Sequence, residues 1–123
     1  MIVLNYQDRR PLYEQIAEKF QVLIVKGILT TDEQMPSVRK LAVELSINPN
    51  TIQRAYSLLE TQGYIYAVKG RGNFVAPEHS FIDGRRKTFF QDYHALIVQG
   101  IDMGISADEL INYVKRTAEE GIR

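Results

Sequence analysis

The run Ser37-Val38-Arg39-Lys40-Leu41-Ala42-Val43-Glu44-Leu45-Ser46-Ile47-Asn48-Pro49-Asn50-Thr51-Ile52-Gln53-Arg54-Ala55-Tyr56-Ser57-Leu58-Leu59 holds two helix starts in quick succession. Ser37 is placed to cap a short helix whose apolar face is Val38, Leu41, Ala42 and Leu45. Residues 46–51 are turn chemistry leading into a second start, with Asn48 as N-cap and Pro49 at the first helical position, where a missing N–H costs nothing. The stripe Ile52, Ala55, Tyr56 and Leu59 continues this helix to about residue 62, and Gly63 stands where a left-handed terminal residue is wanted.

Upstream, Leu12, Ile16, Phe20, Leu23 and Ile24 recur at spacings of three and four between Pro11 and Gly27, predicting a helix over 11–26. The polar stretch from Thr30 to Gln34 has no clear period. Downstream the period changes to that of strands: Tyr64–Val68 and Asn73–Val75 flank Lys69-Gly70-Arg71-Gly72, a glycine-containing hairpin loop. Residues 77–84 mix Pro, Glu, His, Ser, Asp and Gly and read as a connector. Phe89, Tyr93, Leu96, Ile97 and Ile101 then form a helical stripe, weakened by Gly100 and ended near Gly104. The last helix opens on a capping box, Ser106 with Glu109, and a hydrophobic staple, Ile105 with Leu110, and carries on through Tyr113, Val114 and Ala118.

Three helices followed by a hairpin with a basic tip is the order of a winged helix-turn-helix. The fold class expected is mainly α with a small β-wing: a DNA-binding winged helix over 1–76, then a linker and helical dimerisation segment over 77–123.

Composition agrees with a packed domain of this size. Of 123 residues, 45% are hydrophobic and 24% charged, which is enough apolar surface to offset chain entropy. The absence of cysteine excludes disulfide scaffolds, thiol catalysis and cysteine-based zinc sites. The start MIVLNYQDRR lacks a basic segment ahead of its short apolar run, and no long apolar stretch follows, so neither a signal peptide nor a membrane span is expected and a cytoplasmic location follows by elimination. The formal charge is zero, yet residues 1–35, 36–76 and 77–123 carry −1, +3 and −2 respectively. The cationic part is the one that contains the helix-turn-helix and the hairpin.

In such a fold the third helix presents its outer face to the major groove. That face is Asn50, Thr51, Gln53, Arg54 and Ser57, whose amides, hydroxyls and guanidinium suit base edges and phosphates. Ser37 and Asn48 sit at helix N-termini, which attract phosphate through free N–H groups. Arg39 and Lys40 lie where helix two crosses the DNA backbone. Lys69, Gly70, Arg71 and Gly72 extend the basic surface toward the neighbouring minor groove. No cofactor or metal is expected: Gly70-Arg71-Gly72 lacks a third glycine and precedes a strand, and His79 and His94 have no coordinating pattern. No nucleophile motif or paired-acid motif supports an enzyme. The basic run Arg85-Arg86-Lys87 reads as a solvated helix start.

These motifs resemble those of the GntR family of bacterial transcriptional regulators. The matching runs are Pro36-Ser37-Val38-Arg39-Lys40-Leu41-Ala42, Asn50-Thr51-Ile52-Gln53-Arg54-Ala55, Leu59-Glu60-Thr61-Gln62-Gly63 and Gly70-Arg71-Gly72-Asn73-Phe74-Val75, in the family's order over residues 11–76. The Asn48-Pro49-Asn50-Thr51 start, the Pro11-Leu12-Tyr13-Glu14-Gln15-Ile16 entry and the short C-terminal part look like the YtrA subfamily. The resemblance implies a homodimeric repressor, with an ABC-transporter operon as a possible target. Its C-terminal helices would pair, and the residues expected at that contact are Phe89, Tyr93, Leu96, Ile97, Leu110 and Val114. Many members carry Arg where this chain has Pro49, which passes base reading to Arg54 or Gln53. The chain is too short for the large effector domains of other subfamilies, so a small-molecule effector, unidentified, would act on the spacing or rigidity of the two heads. The alternative reading is a winged-helix protein-interaction module.

Overall fold

In a computed structural model of the chain, which describes residues 2–121, Phe20 and Tyr56 meet edge to face, ring centres 5.8 Å apart, at the middle of the core. Phe20 comes from α1 (Leu12–Val25) and Tyr56 from α3 (Pro49–Thr61), with α2 (Val38–Leu45) completing the helical set. Of the inward stripes read from the sequence, Ile16, Phe20 and Ile24, then Leu41 and Ala42, then Ile52, Ala55, Tyr56 and Leu59 are buried, while Leu12, Leu23, Val38 and Leu45 are half-buried. Tyr56 donates its hydroxyl to the Pro36 carbonyl at 2.7 Å, so its one polar atom is satisfied. Gln15, which the periodicity does not flag, is also buried; its amide accepts from the Asn5 N–H and donates to the Arg10 carbonyl, tying residues 2–11 to α1. Arg10 in turn is ion-paired with Asp8 and Glu18 on the surface.

The wing is β1 (Ile65–Val68) paired antiparallel with β2 (Gly72–Val75), Tyr66 opposite Phe74. The segment without periodicity joins it. Asp32 N–H donates to the Val75 carbonyl, Val75 N–H to the Glu33 carbonyl, and Met35 N–H to the Asn73 carbonyl, with Gln34 bridging Phe74. Residues 32–35 thus form a third rung, whose polar side chains face solvent while the backbone makes the bonds.

Residues 78–84, expected as connector, are instead the first turns of a long helix, α4 (Glu78–Asp102). Phe81 is buried and stacks on Tyr64 with centroids 4.9 Å apart. The glycine that looked like a breaker answers a packing need. A Cβ on Gly84 would fall 1.8 Å from the Gln62 carbonyl oxygen, and one on Gly63, at φ +86°, would fall 2.1 Å from the Ser80 carbonyl oxygen. The start of α4 therefore lies backbone to backbone against the turn that ends α3.

Two compact units divide the chain, one through Arg86 and one from Lys87 onward. The second contains the rest of α4 and α5 (Ala107–Glu120). Gly104, at φ +93°, ends α4, and the Ser106 hydroxyl accepts from the Glu109 N–H at 3.1 Å to start α5. Leu110 and Ile105 pack over Gly100, the buried residue of this unit among those described; α5 buries none. No helix among the described residues is long and apolar enough to cross a membrane.

Two tyrosines make the first unit sensitive to alkali. The hydrogen bond from Tyr66 to Asp32, 2.7 Å, holds the Tyr66 hydroxyl above its ordinary pKa, and burial pushes Tyr56 up as well. A raised folded pKa stabilises the fold fully below the unfolded value of about 10, and that contribution is lost as pH climbs past it. In a spectrophotometric titration of the seven tyrosines, Tyr56 should ionise only together with loss of the helical signal. Its appearance in a Tyr56→Phe difference curve while the fold is intact would contradict this.

Candidate nucleic-acid interface

The cap of each helix fixes the surface residues around it. Ser37 Oγ accepts from the Lys40 N–H at 3.1 Å, which starts α2 and sets Arg39 and Lys40 on its exposed first turn. Asn48 Oδ1 accepts from the Asn50 N–H at 2.8 Å and starts α3. In both caps an oxygen is engaged as acceptor, so the Ser37 O–H and the Asn48 side-chain N–H groups are still donors. Ser46, at φ 56°, makes the sharp turn between α2 and α3.

Along α3, Asn50, Gln53, Arg54 and Ser57 are exposed and Thr51 is half-buried. Gln53 Nε2 reaches the Ser57 hydroxyl at 3.5 Å. Arg54 lies over the ring of Tyr13 on α1, its Cζ 4.0 Å from the ring centre. The expected basic residues carry no internal counter-charge: among the described residues no carboxylate comes within ion-pair distance of Arg39, Lys40, Arg54, Lys69 or Arg71. Glu44, also exposed on α2, lines the surface hollow that Ser37, Arg39 and Lys40 share and is the one acid there.

At the wing tip, Lys69, Gly70 and Arg71 form the loop between Val68 and Gly72, closed by the Arg71 N–H donating to the Val68 carbonyl at 2.9 Å. Gly70 at φ +78° occupies the position where such a turn requires a left-handed residue. Gln34 Nε2 donates to the Arg71 carbonyl at 2.9 Å and holds the tip from outside the hairpin. Gln34 and Asp32 escape a reading by motif, and the motif over residues 11–16 that contains Tyr13 does not reveal its contact, because each acts across more than thirty residues of chain. Their one signal is residue type: an aromatic at a helix entry and polar side chains in an aperiodic loop.

Elsewhere, His79 and His94 are exposed, and no group of three His, Asp or Glu side chains that could hold a metal ion occurs among the described residues. The second unit presents a different surface. Tyr93, Ile97, Ile101, Ala107, Leu110, Ile111 and Val114, with Lys115 beside them, line an apolar hollow of about 340 Å³. Phe89 and Leu96 are exposed on α4.

The model of bacterial regulatory proteins of the gntR family matches residues 12–75. The HTH-type transcriptional repressor YtrA of Bacillus subtilis is 30% identical over 122 residues, spanning 98% of this chain and 94% of the relative. The solved structure of YtrA from Sulfolobus acidocaldarius, a GntR-family transcription factor, superposes with a TM-score of 0.62 at 30% identity, over 98% of both chains. AraR(DBD), crystallised in complex with operator ORR3, gives a TM-score of 0.53 at 30% identity over 62% of this chain and 92% of that one. The matched region takes in α1 through the wing, the elements on which the motif reading rested, and the family consists of transcription regulators and not enzymes. With its motifs, its winged helix and its nearly full-length relatives in agreement, the chain belongs to the gntR family of bacterial regulatory proteins.

Proposed function

We propose that the protein is a cytoplasmic homodimer that binds an inverted-repeat operator and represses transcription, with residues 1–76 as the DNA-binding head and 77–123 as the dimerisation segment. The observation that carries this reading is the set of five cationic side chains, on α2, α3 and the wing tip, none of which has an ion pair among the described residues. A folded surface that keeps Arg39, Lys40, Arg54, Lys69 and Arg71 uncompensated is suited to neutralising phosphate. Ser37 and Asn48 add donors at the two helix starts, Asn50, Thr51 and Gln53 add base-reading groups, and Gly70 and Gly72 let the wing tip approach closely. AraR(DBD), similar to this chain over the same elements, was crystallised on an operator, which supports the docking mode. The word repressor in the name of the Bacillus subtilis relative supports the direction of regulation. The YtrA resemblance points to a transporter operon as target.

What supports the dimer is the second unit, where Phe89, Leu96, Ile101, Ile111 and Val114 are large apolar side chains left exposed on α4 and α5. Two heads related by a two-fold axis would read half-sites about 34 Å apart or a multiple of that. Purified protein mixed with fragments of the source genome should enrich an inverted repeat. Affinity for it should fall steeply with salt, by a slope of about 0.9 per phosphate neutralised. Arg39→Ala should weaken binding about tenfold at all sequences alike and make the salt slope shallower. Binding that ignores salt and survives Arg39→Ala would instead mark the head as a protein-interaction module.

A further inference from the structure

The contact between Arg54 and Tyr13 joins two features that the DNA-binding reading leaves apart. Arg54 is exposed on α3, at a position suited to base reading, and Tyr13 is half-buried on the first turn of α1. A guanidinium lying on an aromatic face is attracted by the ring's negative centre, and the contact covers only that face of the group. The N–H fork lies in the plane of the guanidinium and projects from its edges. The contact thus restrains where the guanidinium sits, and none of its N–H groups donates a hydrogen bond among the described residues. The ring is itself restrained by the packing of α1 and by the Tyr13 hydroxyl, which donates to Glu14 Oε1 at 3.3 Å.

The geometry points to Tyr13 as the positioning residue for Arg54, holding its fork ready for a pair of acceptors on the operator; this rests on the DNA-binding reading proposed above. A long side chain that is free in solution must lose its rotamer freedom on docking, and one already stacked has lost part of it. The matching acceptors are two adjacent oxygen or nitrogen atoms at fork spacing. These are the O6 and N7 of a guanine, or two oxygens of one phosphate. Arg54 then takes the bidentate role that Pro49 cannot fill.

The test is a set of binding titrations on the enriched operator with Tyr13→Ala, Tyr13→Phe, Arg54→Ala and the double variant Tyr13→Ala/Arg54→Ala, each checked for an unchanged melting curve. Tyr13→Ala should lower affinity about 5- to 30-fold, because a few-fold loss of pre-orientation is felt at both heads. Tyr13→Phe keeps the ring and should retain wild-type affinity. The double variant should bind no worse than Arg54→Ala alone, since Tyr13 acts through Arg54. Base substitutions across the half-site distinguish the acceptors. A guanine whose replacement costs the wild type affinity but leaves Arg54→Ala indifferent identifies a base contact, and a uniform loss identifies a phosphate. Additive losses in the double variant, or equal losses for Phe and Ala at position 13, would overturn the assignment while leaving the DNA-binding reading intact. Should the wild type itself show no salt-dependent binding, both fall together.

Discussion

Val114→Glu is expected to leave the protein monomeric and to weaken operator binding by on the order of 10² to 10⁴, the advantage that linking two weak heads confers. Val114 is 50% exposed on α5, level with Ile111 at 50% and Ile101 at 52% on the face that α4 and α5 share. Since half the side chain already meets water in one chain, its replacement removes little packing within the hairpin. In the proposed dimer the same position is covered, and two carboxylates would enter one apolar contact whose one lining cation is Lys115. Desolvating each is unfavourable by several kcal/mol, more than one such contact can return. Leu96→Glu, at 65% exposure on α4, should act in the same direction, and Glu119→Gln on α5 should change neither property. Sedimentation and operator titration of the three variants decide the matter. A dimeric Val114→Glu, or a monomeric one with undiminished affinity, would remove the second unit from the mechanism.

The second large effect concerns Gly84. In the middle of a helix, exchanging glycine for alanine ordinarily stabilises by up to about 1 kcal/mol. Here the sign should reverse. The new methyl carbon would have to occupy a point 1.8 Å from the Gln62 carbonyl oxygen, a backbone atom that cannot swing aside. Forcing extra atoms into a closed contact costs about 1–3 kcal/mol and occasionally more, so the contact should override the propensity gain and lower the melting temperature by roughly 5–10 °C. Gly100→Ala supplies the contrast. Its Cβ would lie 3.7 Å from Ile105 Cδ1, an ordinary van der Waals distance, so the propensity gain should emerge as a small stabilisation. A Gly84→Ala variant that melts with or above the wild type would show that α4 is not seated against the α3–β1 turn as described.

The helices, their caps and the wing were legible because each is written locally. Ser37, Asn48, Pro49 and Ser106 announce helix starts within three residues of their effect, and the stripes of α1 and α3 repeat often enough to reveal their buried faces. The start of α4 was not legible for the same reason in reverse. Pro77, Ser80, Asp83 and Gly84 carry the composition of a connector, and only the nearby Gln62 carbonyl, distant in sequence, explains why glycine is required there. Residues 32–35 were missed because a rung held by backbone bonds leaves no alternation to read. Of the candidate interface, the cations and cap residues could be named from the sequence. What holds them could not, since Tyr13 reaches Arg54 across 41 positions, and Gln34 reaches Arg71 across 37.

The rung at residues 32–35 also bears on how quickly the head can find its place. Met35 is hydrogen-bonded to the wing, and two residues later Ser37 caps α2, so the wing and the first turn of α2 hang from one short piece of chain. Neither can drift without straining the other. A partner therefore meets a surface whose spacing is already set, and an encounter that aligns one anchor brings the second into register without a search by a loose loop. Association should then be limited by diffusion and charge steering, and not by a slow ordering step that follows first contact.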